Sequence, residues 1–369
     1  MAEELDPVSG LAGIDRLLHR LRERAPRDIF GLGGLLIALL VFFSILLPAS
    51  FPTIATVQSI MFQLPELGLL AFAMVIPLIS GGLNLAIIAT ANQCALLMAW
   101  IMTSLIAPET SAGGSALIIA LALAAGLAYS GLVGLVTGIL VATLGVHPIL
   151  VTLGTMSLID GVSIYLTRGT ILSGFPDSFQ WIGNGTVMHV PVPFLILLAT
   201  AGVLGLVLSR TQFGISVYMI GSNLQATRYS GIDARRVIVG VYTLSSALCF
   251  VAATLMMARF NSASAEYAQS YLLITILSAV LGGVDPFGGF GRIAGLLISM
   301  VILQVISSGL NLLGVNQHLT LAIWGFTLIA VMAMRFYVAP LIADTWRFAR
   351  PKRGASERDR PSAAKPRQP

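Results

Sequence analysis

Leu67-Gly68-Leu69-Leu70-Ala71-Phe72-Ala73-Met74-Val75-Ile76-Pro77-Leu78-Ile79-Ser80-Gly81-Gly82-Leu83-Asn84-Leu85 opens a run in which no Asp, Glu, Lys or Arg occurs between Glu66 and Glu109. The run exceeds the roughly 20 apolar residues that cross a bilayer as a helix. Ser80-Gly81-Gly82 lies inside it, where a helix can break. Charge is likewise missing between Glu109 and Asp160 and between Arg292 and Arg335. Hydrocarbon leaves backbone groups no water to bond, so such runs must be helices or a closed barrel. Barrel strands alternate apolar and polar residues; these runs do not, and the expected class is an all-α polytopic membrane protein.

Composition agrees. Hydrophobic residues form 56% of the 369 and charged residues 10%, with a mean hydropathy of +0.90. A soluble domain carries roughly 25% charged residues. Cys94 and Cys249 both fall inside apolar runs and read as small buried residues rather than a disulfide framework. His147, His189 and His318 have no metal-ligand spacing, so no metal site is expected.

A coarse pass gives about ten helices, near 30–49, 57–79, 83–106, 115–143, 148–167, 192–209, 237–259, 268–283, 292–313 and 317–337. Arg16, Arg20, Arg22, Arg24 and Arg27 precede them; Arg347, Arg350, Lys352, Arg353, Arg358 and Arg360 follow them. Cytoplasmic segments concentrate Lys and Arg, which places both termini inside and requires an even number of spans. The basic loop of about 210–236, with Arg210, Arg228, Arg235 and Arg236, also falls inside. The loop of about 168–191 falls outside, and Arg168 and Arg259 fall outside near Asp177 and Glu266. Residues 1–29 form an arm that reads as an amphipathic surface helix or as a solvated basic tail. Residues 30–337 form the membrane domain. Residues 338–369 form a basic tail whose end has a disordered composition.

Within the inside loop, Asn223 suits an N-cap and Gly231 a C-cap, predicting a short helix with a mixed face of Leu224, Arg228 and Tyr229. Tyr and Arg are favoured interface anchors. Among apolar runs, Asn84, Asn92 and Gln93 cluster after the glycine break, and Asn311 and Gln317 lie near the end of the ninth span. Amides offer donors and acceptors to a hydroxyl-rich solute, and they also bond helix to helix. Ser307-Ser308-Gly309-Leu310-Asn311 echoes Ser80-Gly81-Gly82-Leu83-Asn84, which admits either an internal repeat or chance.

Five blocks, in order, carry a resemblance that covers most of 57–335. Ile79 to Leu85, Pro148 to Met156, Trp181 to Pro193, Gly221 to Ile232, and Leu281-Gly282-Gly283 with Phe287-Gly288-Gly289 are similar to the ribose/xylose-type permeases of ABC importers. The resemblance implies a type II importer-like bundle in the bacterial inner membrane that translocates a monosaccharide or related polyol. It implies a coupling loop for a cytoplasmic ATPase at Gly221, Asn223, Ala226, Arg228, Tyr229, Ser230 and Gly231. It also implies a periplasmic solute-binding protein and a second permease copy, identical or related. Lipid surrounds such a chain, and no nucleic-acid partner is expected. Asn84 stands where the family usually has Asp, Asp160 where it has a neutral or basic residue, and Thr227 where Ala is commoner.

The glycine-rich stretch from Gly282 to Gly295 is not a phosphate-cradling loop: such a loop needs Lys, and none precedes Lys352. The chain itself is therefore expected to bind no cofactor, not to be an enzyme, and to leave ATP to its partner. Related permeases for nucleosides or branched-chain amino acids share these features. An ion-coupled carrier is the other reading, resting on Glu66 and Asp160 as acids at membrane depth. No nucleophile–base pair marks an intramembrane enzyme.

Overall fold

The computed structural model describes residues 27–106 and 111–333. The helices are α1 (Arg27–Leu46), α2 (Ile54–Ile79), α3 (Ile87–Leu105), α4 (Ala112–Leu144), α5 (Pro148–Thr167), α6 (Asp177–Asn184), α7 (Val192–Arg210), α8 (Gln212–Ser222), α9 (Leu224–Tyr229), α10 (Ala234–Phe260), α11 (Tyr271–Leu281), α12 (Ile293–Leu312) and α13 (Gln317–Ala333). Four two-residue strands form two antiparallel ribbons: β1 (Leu172–Ser173) pairs with β4 (Ser262–Ala263), and β2 (Thr186–Val187) with β3 (Val190–Pro191).

Eight helices among the described residues are long and apolar enough to cross a membrane. The eighth and tenth expected spans are shorter apolar helices: α11 has 11 residues and α13 has 17. Glycines end α11 early, because Gly282 and Gly283 close its last turn and Gly283 has φ +87°. The arm at 1–26 and the tail at 334–369 lie outside the described residues, as does Glu109.

Burial follows bilayer logic. From Leu64 to Ile79 every residue of α2 is buried, so this helix is the centre of the bundle. The buried positions of α4 are Ala122, Gly126, Ser130, Gly134, Thr137 and Gly138, whereas Leu117, Leu121 and Leu132 are exposed. Small residues inside and large apolar residues outside is the pattern of helices that associate in lipid. A Cβ on Gly134 would lie 2.6 Å from the Tyr242 carbonyl oxygen, and one on Gly138 would lie 2.8 Å from Val239 Cα, so α4 and α10 pack backbone to backbone.

The expected break is real. α2 ends at Ile79, Gly81 takes φ +82°, and α3 begins at Ile87. The echo at Ser307 to Asn311 is continuous helix within α12, with Gly309 packed against Phe43 of α1. The two segments therefore do not form a structural repeat.

α10 sets the two ends of the molecule. Its 27 residues span about 40 Å at 1.5 Å per residue. α8 and α9 precede its first turn. The 168–191 segment packs on its last turn, where Asn184 Nδ2 donates to the Ala258 carbonyl at 3.2 Å and Phe175 N to Asn261 Oδ1 at 2.8 Å. The two polar loops read from the sequence thus lie at opposite ends of one helix.

Candidate functional site

The 211–233 segment is built from caps. Thr211 Oγ1 accepts from Gly214 N at 3.1 Å and starts α8, a helix that the sequence reading missed although its Thr cap was visible. Asn223 ends α8 and starts α9, its Oδ1 accepting from Ala226 N at 3.0 Å. Gly231, at φ +80°, reverses the chain, and Asp233 caps α10 through Arg235 N and Arg236 N. On α9, Leu224 is half-buried and Thr227 is buried, its hydroxyl donating to the Asn223 carbonyl at 2.8 Å. Of the expected mixed face, Leu224 is half-buried while Arg228 and Tyr229 are exposed. Ala226, Arg228, Tyr229 and Ser230 face outward, and Tyr229 is 92% exposed.

Gly221 joins this segment to the bundle. A Cβ there would overlap the Ile79 carbonyl oxygen and the Gly289 N–H, and one on Gly288 would lie 2.6 Å from Gly81 N. Gly289 N donates to the Ile79 carbonyl at 2.8 Å. The ends of α2 and α8 and the 282–292 loop thus meet through backbone alone. Beside this junction, Tyr218 Oη donates to the Gly291 carbonyl at 2.7 Å. Burial raises the Tyr218 phenol above its ordinary pKa, against the opposing pull of Arg292, which keeps it a neutral donor.

The four amides expected along a solute path separate into two groups. Asn84 donates to Ser245 Oγ at 2.9 Å and accepts from Ala86 N at 3.1 Å, while Ser245 donates to the Ala73 carbonyl at 2.7 Å. This relay ties α2, the break and α10. Asn92 uses both amide hydrogens on the carbonyls of Ala265 and Tyr267, each at 2.9 Å. Gln93 Oε1 accepts from Tyr129 Oη. Asn311 differs: its side chain is exposed and has no hydrogen-bond partner among the described residues. It lines a cleft of about 440 Å³ with Ser270, Tyr271, Ser307, Thr320 and Trp324. Asn92 therefore holds the 264–268 loop, whose Tyr267 and Ala268 line a neighbouring cleft. Asn92→Leu leaves two carbonyls without donors, a loss of about 2–3 kcal/mol. Thermal unfolding of the purified protein should show a lower midpoint, and an unchanged midpoint would refute this role for Asn92.

A second cleft, of about 480 Å³, shares Ser270 and Tyr271 with the first and is floored by Glu66. Glu66, near the middle of α2, is buried and pairs with Arg259 Nη1 at 2.8 Å; the same nitrogen donates to the Phe62 carbonyl at 3.0 Å. The sequence reading placed Arg259 beside Glu266, but its partner is Glu66, from the central helix. Glu66 is accordingly half of an ion pair and not a lone intramembrane acid. Asp160 is half-buried on α5.

Residues 56–332 match the family model described as branched-chain amino acid transport system / permease component. The chain is 32% identical to the ribose import permease protein RbsC of Bacillus subtilis (strain 168), over 81% of this chain and 90% of that protein. It is 34% identical to RbsC of Escherichia coli (strain K12), over 77% and 87%. The autoinducer 2 import system permease protein LsrD of Yersinia enterocolitica is 29% identical over 73% and 80%. No solved structure matches the chain. A bundle of apolar helices with small residues at its interfaces, matched over most of its length by permeases and by their family model, leaves one conclusion: the chain belongs to the branched-chain amino acid transport system / permease component family and is a multi-pass inner-membrane permease of an ABC importer.

Proposed function

We propose that this permease carries a monosaccharide or related polyol inward, powered by ATP hydrolysed on a separate cytoplasmic subunit that docks on α9. The observation that carries the reading is the coupling-end geometry. An exposed Arg228 and Tyr229 stand on a helix joined, through the Gly221 backbone junction, to the central helix α2. A push on α9 reaches the membrane helices with no flexible side chain in between. Arg210, Arg235 and Arg236 at the same end support a cytoplasmic placement. The solute class follows from the relatives named for ribose import. A solute-binding protein would then deliver from the 168–191 end, and a second permease copy would complete the pathway. Closure of the ATPase pair would shift a two-state equilibrium between outward and inward access, with no covalent chemistry in this chain.

The test is uptake into proteoliposomes holding the permease, its ATPase and its binding protein, with labelled ribose, other pentoses, hexoses and leucine offered separately. ATP-dependent sugar uptake supports the reading. Leucine uptake without sugar uptake would replace it with the amino acid reading that the family description allows. Uptake driven by an ion gradient without the ATPase would reject both. In the same assay Arg228→Glu should lower uptake at least about tenfold, since removing one partner of an interfacial charge contact typically costs 2 kcal/mol or more. The unfolding midpoint should not move, because Arg228 is exposed. Unchanged uptake with Arg228→Glu would move the docking site away from α9.

A further inference from the structure

The two clefts that meet at Ser270 and Tyr271 lie at the end of the bundle away from α9. They adjoin the last turn of α10 and the start of α11. Both walls carry polar side chains among apolar ones, where a hydrocarbon-facing wall would be apolar throughout. Asn311, Ser307, Thr320 and Ser270 surround the first cleft, and the Trp324 ring, 3% exposed, backs it. Uncompensated polar groups at membrane depth are costly unless they face water, protein or a ligand. Asn84, Asn92 and Gln93 meet this cost with bonds to other parts of the bundle. The exposed Asn311 carboxamide, in the last turn of α12, lines this cleft and has no side-chain partner among the described residues, which leaves it free to bond an occupant.

The chemistry of that occupant can be read from the lining. A carboxamide and several hydroxyls donate and accept at neutral charge. An indole presents an apolar face to C–H groups and an N–H donor at its edge. Glu66, the charged residue lining the second cleft, is engaged by Arg259 at 2.8 Å. Among the described residues no unpaired carboxylate lines either cleft to meet an ammonium group. The combined space falls within the roughly 300–1,000 Å³ of small-molecule sites.

We infer that this two-lobed cleft is the outward solute site of the permease, that it takes an uncharged, hydroxyl-rich molecule of monosaccharide size, and that Asn311 is a specificity-determining contact within it. The inference rests on the sugar reading above and adds the place and the residue. Solute handed over at the 168–191 end meets Asn311 and Trp324 first and comes to rest above the Glu66–Arg259 floor.

The test uses the whole importer in proteoliposomes, with labelled ribose as probe, and compares wild type, Asn311→Leu and Asn311→Gln. Asn311→Leu should lower ribose uptake about tenfold, the effect of losing one or two hydrogen bonds to the solute. ATP hydrolysis stimulated by the binding protein should persist, and Asn311→Gln should recover part of the uptake. The unfolding midpoint of each variant is measured alongside; because the Asn311 side chain has no hydrogen-bond partner among the described residues, it should not shift. Wild-type uptake rates in Asn311→Leu would overturn the site while leaving the sugar reading intact. Loss of uptake accompanied by dissociation of the permease pair, or by loss of stimulated hydrolysis, would also overturn it, since Asn311 would then serve assembly or coupling. A wild-type importer that moves leucine and no sugar would remove the sugar reading and this site together.

Discussion

Gly221→Ala is expected to abolish ATP-dependent uptake and to lower the unfolding midpoint of the purified permease by several degrees. The added methyl has no room: it would overlap the Ile79 carbonyl oxygen at the end of α2 and the Gly289 N–H of the 282–292 loop. Both neighbours are backbone, so no side chain can rotate away. They are also bonded to each other, Gly289 N to the Ile79 carbonyl at 2.8 Å, so separating them to admit the methyl breaks that bond as well. Overpacking of about 1–3 kcal/mol and the loss of one buried hydrogen bond of about 1 kcal/mol place the total near 2–4 kcal/mol. The functional loss should exceed the loss of stability, because this junction links α8 and α9 to the membrane helices. ATP hydrolysis by the assembled importer should therefore continue while uptake stops. Gly33→Ala and Gly202→Ala, where a Cβ meets nothing within 4 Å, provide controls expected to be neutral or slightly stabilising. If Gly221→Ala transported at the wild-type rate with an unshifted midpoint, the junction would be more pliable than its geometry requires and could not transmit the motion of α9.

What was legible in the sequence was whatever depends on composition and local order. Charge-free runs specified membrane helices because the bilayer core gives backbone groups no other partner. Gly81 marked the break between α2 and α3 and Asn223 the start of α9, since a left-handed φ and a capping oxygen are properties of single residues. What escaped depends on distant parts of the chain. α6 and the ribbon pairing Leu172 with Ala263 hold because Phe179 finds full burial and Asn261 lies beside Phe175, contacts that no window of neighbouring residues displays. α8 was hidden by Gly214 and Gly221, which dilute helical propensity but are required by close backbone approaches. The amides stand out in the sequence as polar residues within apolar runs. Only tertiary structure separates Asn84 and Asn92, which bind helices and loops, from Asn311, whose side chain has no partner among the described residues.

Glu66→Gln alone and Arg259→Met alone should each destabilise the permease by about 3–5 kcal/mol, while Glu66→Gln combined with Arg259→Met should cost far less than their sum. Removing one member of a buried pair leaves the other as an uncompensated charge. The Glu66 side chain is 3% exposed, so water cannot take over the role of its partner, whereas Arg259, at 22%, is better placed to reach solvent. The Glu66→Gln variant should therefore suffer less than Arg259→Met, which strands the more deeply buried charge. The pair also joins α2 to the last turn of α10, and Arg259 holds the Phe62 carbonyl as well, so Arg259→Met removes a second tie. Unfolding midpoints of the two single variants and the double variant, read as a double-mutant cycle, give the coupling directly. The same variants decide between the importer and an ion-coupled carrier. In the importer the pair is structural, and a folded Glu66→Gln/Arg259→Met protein should keep ATP-dependent uptake that is indifferent to a proton or sodium gradient. In a carrier Glu66 would load and release the coupling ion, and the double variant would fold yet lose transport altogether. Retained uptake in the double variant, together with strong coupling in the cycle, leaves Glu66 a fixed floor beneath the outward cleft and assigns the energy of transport to the subunit docked on α9.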